Sequence, residues 1–196
     1  MNRFYKMDFE EFIDTNINRY DYAIIDPPWN YDDKPNNVMI HQVIYNLWDN
    51  IKLRDIFDKL DVNYIFLWIT NSMLPLMFKY LENSKYVFKI LVPWLKMTEN
   101  NEVFFGPGNT FRNCVEYLAV LQKKDAKILR FQFRNVIIDK VGKRTEKPKE
   151  FEQRLCSELN SRGLSGVYIF SGGELDFIDS VDIYSKKDSK NKVELF

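Results

Sequence analysis

The chain has 196 residues, 45% of them hydrophobic, and its 28 Lys and Arg balance its 28 Asp and Glu. That length suits one domain spanning residues 1–196 with a sizeable core, and a neutral balance predicts no polyanion partner from net charge alone. The longest apolar runs, such as residues 65–69, are far too short to span a bilayer, and Asp8, Glu10, Glu11 and Asp14 do not suit a signal peptide.

Taken in order, residues 8–15 read as a short amphipathic helix and residues 22–25 as a strand. Residues 30–46 form a polar loop, and residues 53–60 a helix. Residues 64–69 are apolar without a break, as a central parallel strand is. Asn71 or Ser72 caps the next helix, which runs to about Glu82. Residues 86–95 are a strand that Pro93 breaks or displaces to an edge. Residues 98–113 are a long loop containing Gly106-Pro107-Gly108. A strand at 114–122, a basic connector and a short strand at 136–138 follow. Pro148 suits the first turn of a helix running to about Leu159. Strands at 167–170, ending in Ser171-Gly172-Gly173, and at 181–184 complete the pattern. Strand-helix alternation predicts an α/β fold with a mostly parallel sheet and covering helices.

The most informative string is Tyr22-Ala23-Ile24-Ile25-Asp26-Pro27-Pro28-Trp29. A plain strand-terminating turn explains each of its residues separately. A strand ending in a carboxylate, a stiff turn and a flat ring explain it as one device. Such a device can hold an exocyclic amine against the carboxylate while the ring stacks on the base that carries it. In open α/β sheets ligands sit beyond the carboxyl ends of the strands. That rule puts Asp26, Asn71, Lys96 and residues 171–173 on one rim. The glycines after Phe170 allow a cofactor close to the backbone. There is no G-x-G-x-x-G and no G-x-x-x-x-G-K-[ST], which disfavours a dinucleotide oxidoreductase and a P-loop ATPase.

Charge is unevenly spread. Residues 121–150 hold ten basic side chains against four acids, whereas residues 1–61 hold twelve acids against seven bases. The basic stretch suits a phosphate backbone or a solvated loop face equally on charge alone. Cys114 and Cys156 are far apart and His41 is the single His, so no zinc site, disulfide framework or Ser-His-Asp triad assembles. A reducing, cytoplasmic setting, nucleoid-associated or in a virus-infected host cell included, is the expectation.

The motifs, in their order, resemble the Asp-Pro-Pro-Trp class (MT-A-seventy-like) of adenine-N6 methyltransferases over nearly the whole chain. Asp26-Pro27-Pro28-Trp29 looks like the catalytic motif. Phe66-Leu67-Trp68-Ile69-Thr70-Asn71 looks like the family's apolar-Trp-Val-Thr-Asn strand, and Pro93-Trp94-Leu95-Lys96 is similar to its Trp-x-Lys strand. Residues 106–113, with Arg112, followed by Glu116 resemble its Gly-x-Gly-x-x-x-Arg loop and Glu. Glu146-Lys147-Pro148-Lys149-Glu150 resembles its Lys-Pro-x-Glu segment. The resemblance implies a Rossmann-like methyltransferase sheet with helices on both faces and the permuted motif order, catalytic motif first and cofactor strand last. Near the C-terminus the chain departs: the family expects Glu-Leu-Phe-Ala-Arg where Tyr168-Ile169-Phe170-Ser171-Gly172 stands, and Gly-Asn-Glu or Gly-Asn-Gln where Ser185-Lys186-Lys187 stands.

By this resemblance the chain is a site-type adenine-N6 methyltransferase using S-adenosylmethionine, with DNA favoured over RNA. Asp26, Pro27, Pro28 and Trp29 are catalytic. Asp26, Lys147, Phe170, Ser171 and Gly172 bind the cofactor, with Lys147 near its carboxylate. Tyr31, Asn71, Lys96 and Arg112 bind substrate. The expected partners are nucleic acid and a related methyltransferase chain, in a homo- or heterodimer contacted through residues 98–113, with no membrane. The alternative reading is a catalytically inactive nucleic-acid-binding or scaffold subunit, favoured by Tyr168, Gly172 and Lys186. A protein-glutamine or cytosine-N4 methyltransferase shares the amine chemistry, but such strings more often carry Asn first and Tyr or Phe last.

Overall fold

The computed structural model describes residues 4–7, 20–27, 50–108, 110–142, 146–169 and 181–186. Its strands are β1 (Phe4–Met7), β2 (Tyr22–Ile25), β3 (Tyr64–Ile69), β4 (Tyr86–Met97), β5 (Val115–Lys123), β6 (Ile137–Lys140), β7 (Gly166–Ile169) and β8 (Val181–Lys186). Its α-helices are α1 (Asn50–Lys59), α2 (Leu74–Leu81) and α3 (Lys149–Ser161).

The strands form one sheet in the order β1-β8-β7-β2-β3-β5-β4-β6. Every neighbouring pair is parallel except those of β5, which runs antiparallel to both β3 and β4. The chain order reverses between β2 and β7. From β2 the chain moves to β3 on one side; from β7 it moves to β8 on the other. That junction is the topological switch point, the place beyond the strand ends where open α/β sheets bind their ligands.

β2, β3 and β7 are buried at every residue, which explains why their sequences are apolar runs and not alternations. On one face, Leu53, Ile56 and Phe57 of α1 and Met77 and Leu81 of α2 cover Ala23, Ile25, Ile65, Leu67, Ile69, Val167 and Ile169. On the other, Leu155, Cys156 and Leu159 of α3, with Phe131 and Phe133 from the connector, cover Tyr22, Ile24, Phe66, Trp68 and Tyr168. Each fully buried Leu or Ile contributes about 1.5–3 kcal/mol. Helices of 8 to 13 residues are marginal alone, so this packing, not propensity, holds them. The result is the expected Rossmann-like α/β sheet with helices on both faces.

Several elements depart from the sequence reading. β1 is missing from it; four residues carry too little periodicity, and the strand exists by pairing with β8. Residues 8–15 and 30–46 lie outside the described residues. Neither Asn71 nor Ser72 caps α2 directly: a 3-10 turn, Asn71–Met73, precedes it, and its start has no side-chain cap bond. β4 runs unbroken through Pro93 to Met97. Pro93 is tolerated because β6 pairs with β4 only from Trp94 onward, so that flank of the strand needs no donor at 93. Pro148 stands at the N-cap of α3 and not inside its first turn. The helix ends at Ser161, and Gly163 beyond its Arg162 cap has a φ of 75°, the left-handed conformation that suits a glycine past a helix end.

Candidate active site

The parallel strands bring their carboxyl ends to one edge, and the antiparallel β5 brings its beginning there. Asp26 follows β2 directly. Its N–H donates to the Ile169 carbonyl at 3.1 Å, so the β2–β7 ladder extends to the carboxylate at the switch point. Lys96 lies near the end of β4 and Glu116 near the start of β5. Lys147 immediately precedes Pro148 and the N-terminus of α3, on the same edge.

These four side chains form one line of alternating charge. Lys147 Nζ lies 2.9 Å from Asp26 Oδ1 and 3.1 Å from Glu116 Oε1. Lys96 Nζ lies 2.8 Å from Glu116 Oε2. The Lys147 side chain is 8% exposed and that of Asp26 12%, so these are interior ion pairs in which losing one partner leaves a buried charge.

The ammonium groups also rest on indole rings. Lys147 Nζ sits 5.8 Å from the centroid of Trp68, and Lys96 Nζ 4.9 Å from that of Trp94, within cation–π range. The two indoles meet edge to face, with centroids 6.0 Å apart. Trp94 Nε1 donates to the Asp139 carbonyl at 3.1 Å. Trp68 Nε1 donates to Glu152 Oε1 at 2.9 Å, and the Tyr168 hydroxyl donates to the same oxygen at 2.8 Å.

The electrostatics follow from burial set against pairing. Burial pushes the Asp26 carboxyl up; Lys147 opposes that and the Glu116 charge adds to it, leaving Asp26 at about 6. Burial alone would raise Glu116 too, but the ammonium groups of Lys147 and Lys96 outweigh it and hold Glu116 below its usual range. Burial pulls Lys147 down, yet Asp26 and Glu116 outweigh that and hold it well above its ordinary value. Burial lifts Glu152 to about 7; the hydrogen bonds from Tyr168 and Trp68 and the Lys147 charge oppose that, and the Asp26 charge adds to it. Asp26 is therefore mostly ionised at neutral pH, whereas Glu152 is largely protonated below it.

The structure thus brings together Asp26, Lys96 and Lys147 of the predicted residues. Pro27 is buried beside Asp26. Asn71 is exposed on the rim after β3, in the 3-10 turn. Arg112 is exposed in the loop between β4 and β5, its guanidinium 5.1 Å from the Phe105 ring centroid. Pro28, Trp29, Tyr31, Phe170, Ser171 and Gly172, with Lys186 as a side chain, lie outside what is described. The basic connector divides. Lys123 and Lys124 sit at the amino ends of the parallel strands, opposite Asp26, because Lys123 N–H donates to the Asn63 carbonyl just before β3; Lys143 and Arg144 lie outside the described residues.

Glu116, Trp68, Trp94 and Glu152 complete the site; the first three stand in the matched motifs but are not among the predicted site residues, and Glu152 is in neither. Signals existed. Glu116 is a lone acid in the apolar run of β5, and Glu152 shares the helical stripe of Leu155, Cys156 and Leu159, so both demanded buried partners. Tyr168, where the family expects an acid, points into the interior and binds Glu152. Among the described residues no cluster of His, Cys, Asp and Glu could hold a metal, and no helix is long and apolar enough to cross a membrane.

A family model described as MT-A70 matches residues 20–171. That stretch includes every described residue of the charged line and its indole floor. No curated protein matches the chain.

Proposed function

We propose that this chain, which belongs to the MT-A70 family of S-adenosylmethionine-dependent N6-adenine methyltransferases, is a site-type enzyme that methylates adenine N6 in nucleic acid, with DNA preferred to RNA. One observation carries the reading: Asp26 stands at the switch point, its largely enclosed carboxylate 2.9 Å from the Lys147 ammonium.

The residues present fit the cofactor. Lys147 offers three N–H donors, of which Asp26 and Glu116 take two, leaving one for an added carboxylate. The Asp26 carboxylate stands at the strand ends, where ligands of such sheets lie, and its charge suits a cation. S-adenosylmethionine supplies, when bound, an electrophilic methyl group on a sulfonium. Lys147 and residues 170–172 are proposed to hold it.

The adenine amine is a weak nucleophile because its lone pair is delocalised into the ring. Asp26 accepts one N6 proton and the Pro27 carbonyl accepts the other. Both contacts favour a pyramidal nitrogen whose lone pair faces the methyl group, and both strengthen as positive charge develops there. Asp26 then takes the proton that the methylated nitrogen releases. Trp29 or Tyr31 stacks on the base, and alignment contributes most of the acceleration. A duplex adenine must be flipped out; a single strand presents it directly.

The loop between β4 and β5 is proposed as the contact to a second, related methyltransferase chain, identical or not. Its support is the exposure of Val103 at 53%, Phe105 at 75% and Phe111 at 87%, an apolar group of the kind that marks interaction sites.

The test is incubation with methyl-labelled S-adenosylmethionine and either DNA or RNA, followed by nucleoside analysis. N6-methyladenine is the expected product, more from DNA. Label on cytosine, or none from either nucleic acid, would overturn the reading.

A further inference from the structure

Lys96 reads from the sequence as a substrate-binding residue, yet its surroundings are those of a fixed structural charge. Its backbone is held on both sides: its N–H donates to the Cys114 carbonyl at 2.9 Å, and its carbonyl accepts from Phe104 N–H at 2.8 Å. Its ammonium is 2.8 Å from Glu116 Oε2 and rests on Trp94. Trp94 is in turn fixed by the Asp139 carbonyl and by Trp68. The side chain is 19% exposed, and its charge is already engaged by Glu116.

We propose that Lys96 is a positioning residue: it clamps one oxygen of Glu116, and the clamped Glu116 uses its other oxygen to hold the Lys147 ammonium against Asp26. This rests on the reading of Asp26 as the acceptor of the amine. The argument is one of charge balance. Glu116 is shared between two cations and Lys147 between two anions. Without the Lys96 charge, Glu116 has only Lys147 to neutralise it and draws that ammonium from Asp26. Asp26 then keeps its burial and loses part of what keeps it ionised.

Among the described residues, the charged and titratable groups facing Asp26 are Lys147 ahead of α3, Glu152 on α3, Glu116 on β5, Lys96 on β4 and Tyr168 on β7. Lys147 and Lys96 favour the carboxylate; Glu116 and Glu152 disfavour it. Removing a cation therefore moves the ionisation of Asp26 to higher pH, and the acid limb of the pH–rate profile moves with it.

The experiment compares the full-length chain with Lys96→Met, Lys96→Arg and Glu116→Gln on an adenine-containing oligonucleotide that the wild type methylates. Lys96→Met should lower kcat about ten- to a hundredfold, leave KM for the oligonucleotide within about threefold, and move the acid limb to higher pH. Lys96→Arg should restore most of both. Glu116→Gln should lower kcat by breaking the same link from the other side. Independently of turnover, the carboxyl carbon resonance of Asp26 should titrate at higher pH in Lys96→Met than in the wild type, and circular dichroism confirms that each variant is folded. A rise in KM with a shallower salt dependence, kcat and pH profile unchanged, would make Lys96 a phosphate contact and overturn the proposal. So would an unmoved Asp26 titration in a folded variant, whatever the activity. If the wild type forms no N6-methyladenine while Lys96→Met still shifts the titration, the Asp26 reading fails and the coupling stands.

Discussion

Asp26 meets two opposed demands. It is buried against the ends of β2 and β7, which favours a neutral carboxyl, and it must be charged to accept strongly from an amine. Lys147 at 2.9 Å resolves the conflict, and the carboxyl settles at about 6. Asp26→Asn keeps the shape and removes the charge. Methyl transfer should fall by about a hundredfold or more, the scale seen when one preorganised electrostatic contact is lost, with circular dichroism unchanged. In the wild type, kcat/KM should decline as pH falls through about 6. The charged form of Asp26 is the active one, and protonation removes it. A variant that turns over at the wild-type rate, or a profile flat from pH 5 to 8, would remove Asp26 from catalysis.

The elements decide which basic residues can serve nucleic acid. The stretch from 121 to 150 is predominantly basic in sequence, but β5 runs antiparallel and carries its end to the far edge of the sheet. There Lys123 Nζ is 3.0 Å from Asp61 Oδ1. Replacing Lys123 and Lys124 together by Ala should leave the slope of binding against salt unchanged, whereas a true phosphate contact would reduce it by about one unit. Stability should hardly move, since exposed ion pairs contribute about 0–1 kcal/mol. Gly166, which opens β7 opposite Tyr22, answers to a different constraint. A Cβ there would collide with the Tyr22 ring, and that ring is wholly buried. Gly166→Ala should destabilise by about 1–3 kcal/mol through overpacking, measured by chemical denaturation. A smaller change would mean that the ring moves aside.

For the whole molecule, the legible part was what periodicity and motif carry. β2 and β3 were readable to the residue because buried parallel strands are unbroken apolar runs. The antiparallel sense of β5 was not readable, because burial on both faces gives the same run in either direction. The rim membership of Asp26 and Lys96 followed from the strand-end rule. The line that joins them did not, because Glu116 and Lys147 lie 31 positions apart and meet only through the sheet order. The partner of Tyr168 was unreadable for a related reason: Glu152 lies on another element.

The same buried carboxyls set how the whole fold responds to pH. Asp26 and Glu152 both have native values above their ordinary ones, about 6 against 3.8 and about 7 against 4.5. Between those limits the native state holds more protons than the unfolded chain, so stability falls as pH rises. The other members of the line act outside this window. Glu116, held low, loses its contribution only as pH falls below the ordinary carboxylate range, and Lys147, held high, only as pH rises past the lysine range. Melting temperature should therefore decrease from pH 5 to pH 8. Glu152→Gln removes the larger part of the slope, on the order of 3 kcal/mol, since each tenfold change in proton affinity is worth about 1.4 kcal/mol. The amide brings an N–H donor that needs a partner, a cost that does not vary with pH. The informative quantity is therefore the change with pH in the difference between variant and wild type. That difference should move in favour of Glu152→Gln as pH rises through about 7. A constant difference from pH 5 to 8 would mean that Glu152 is ionised throughout, and that the hydrogen bonds from Trp68 and Tyr168 outweigh its burial.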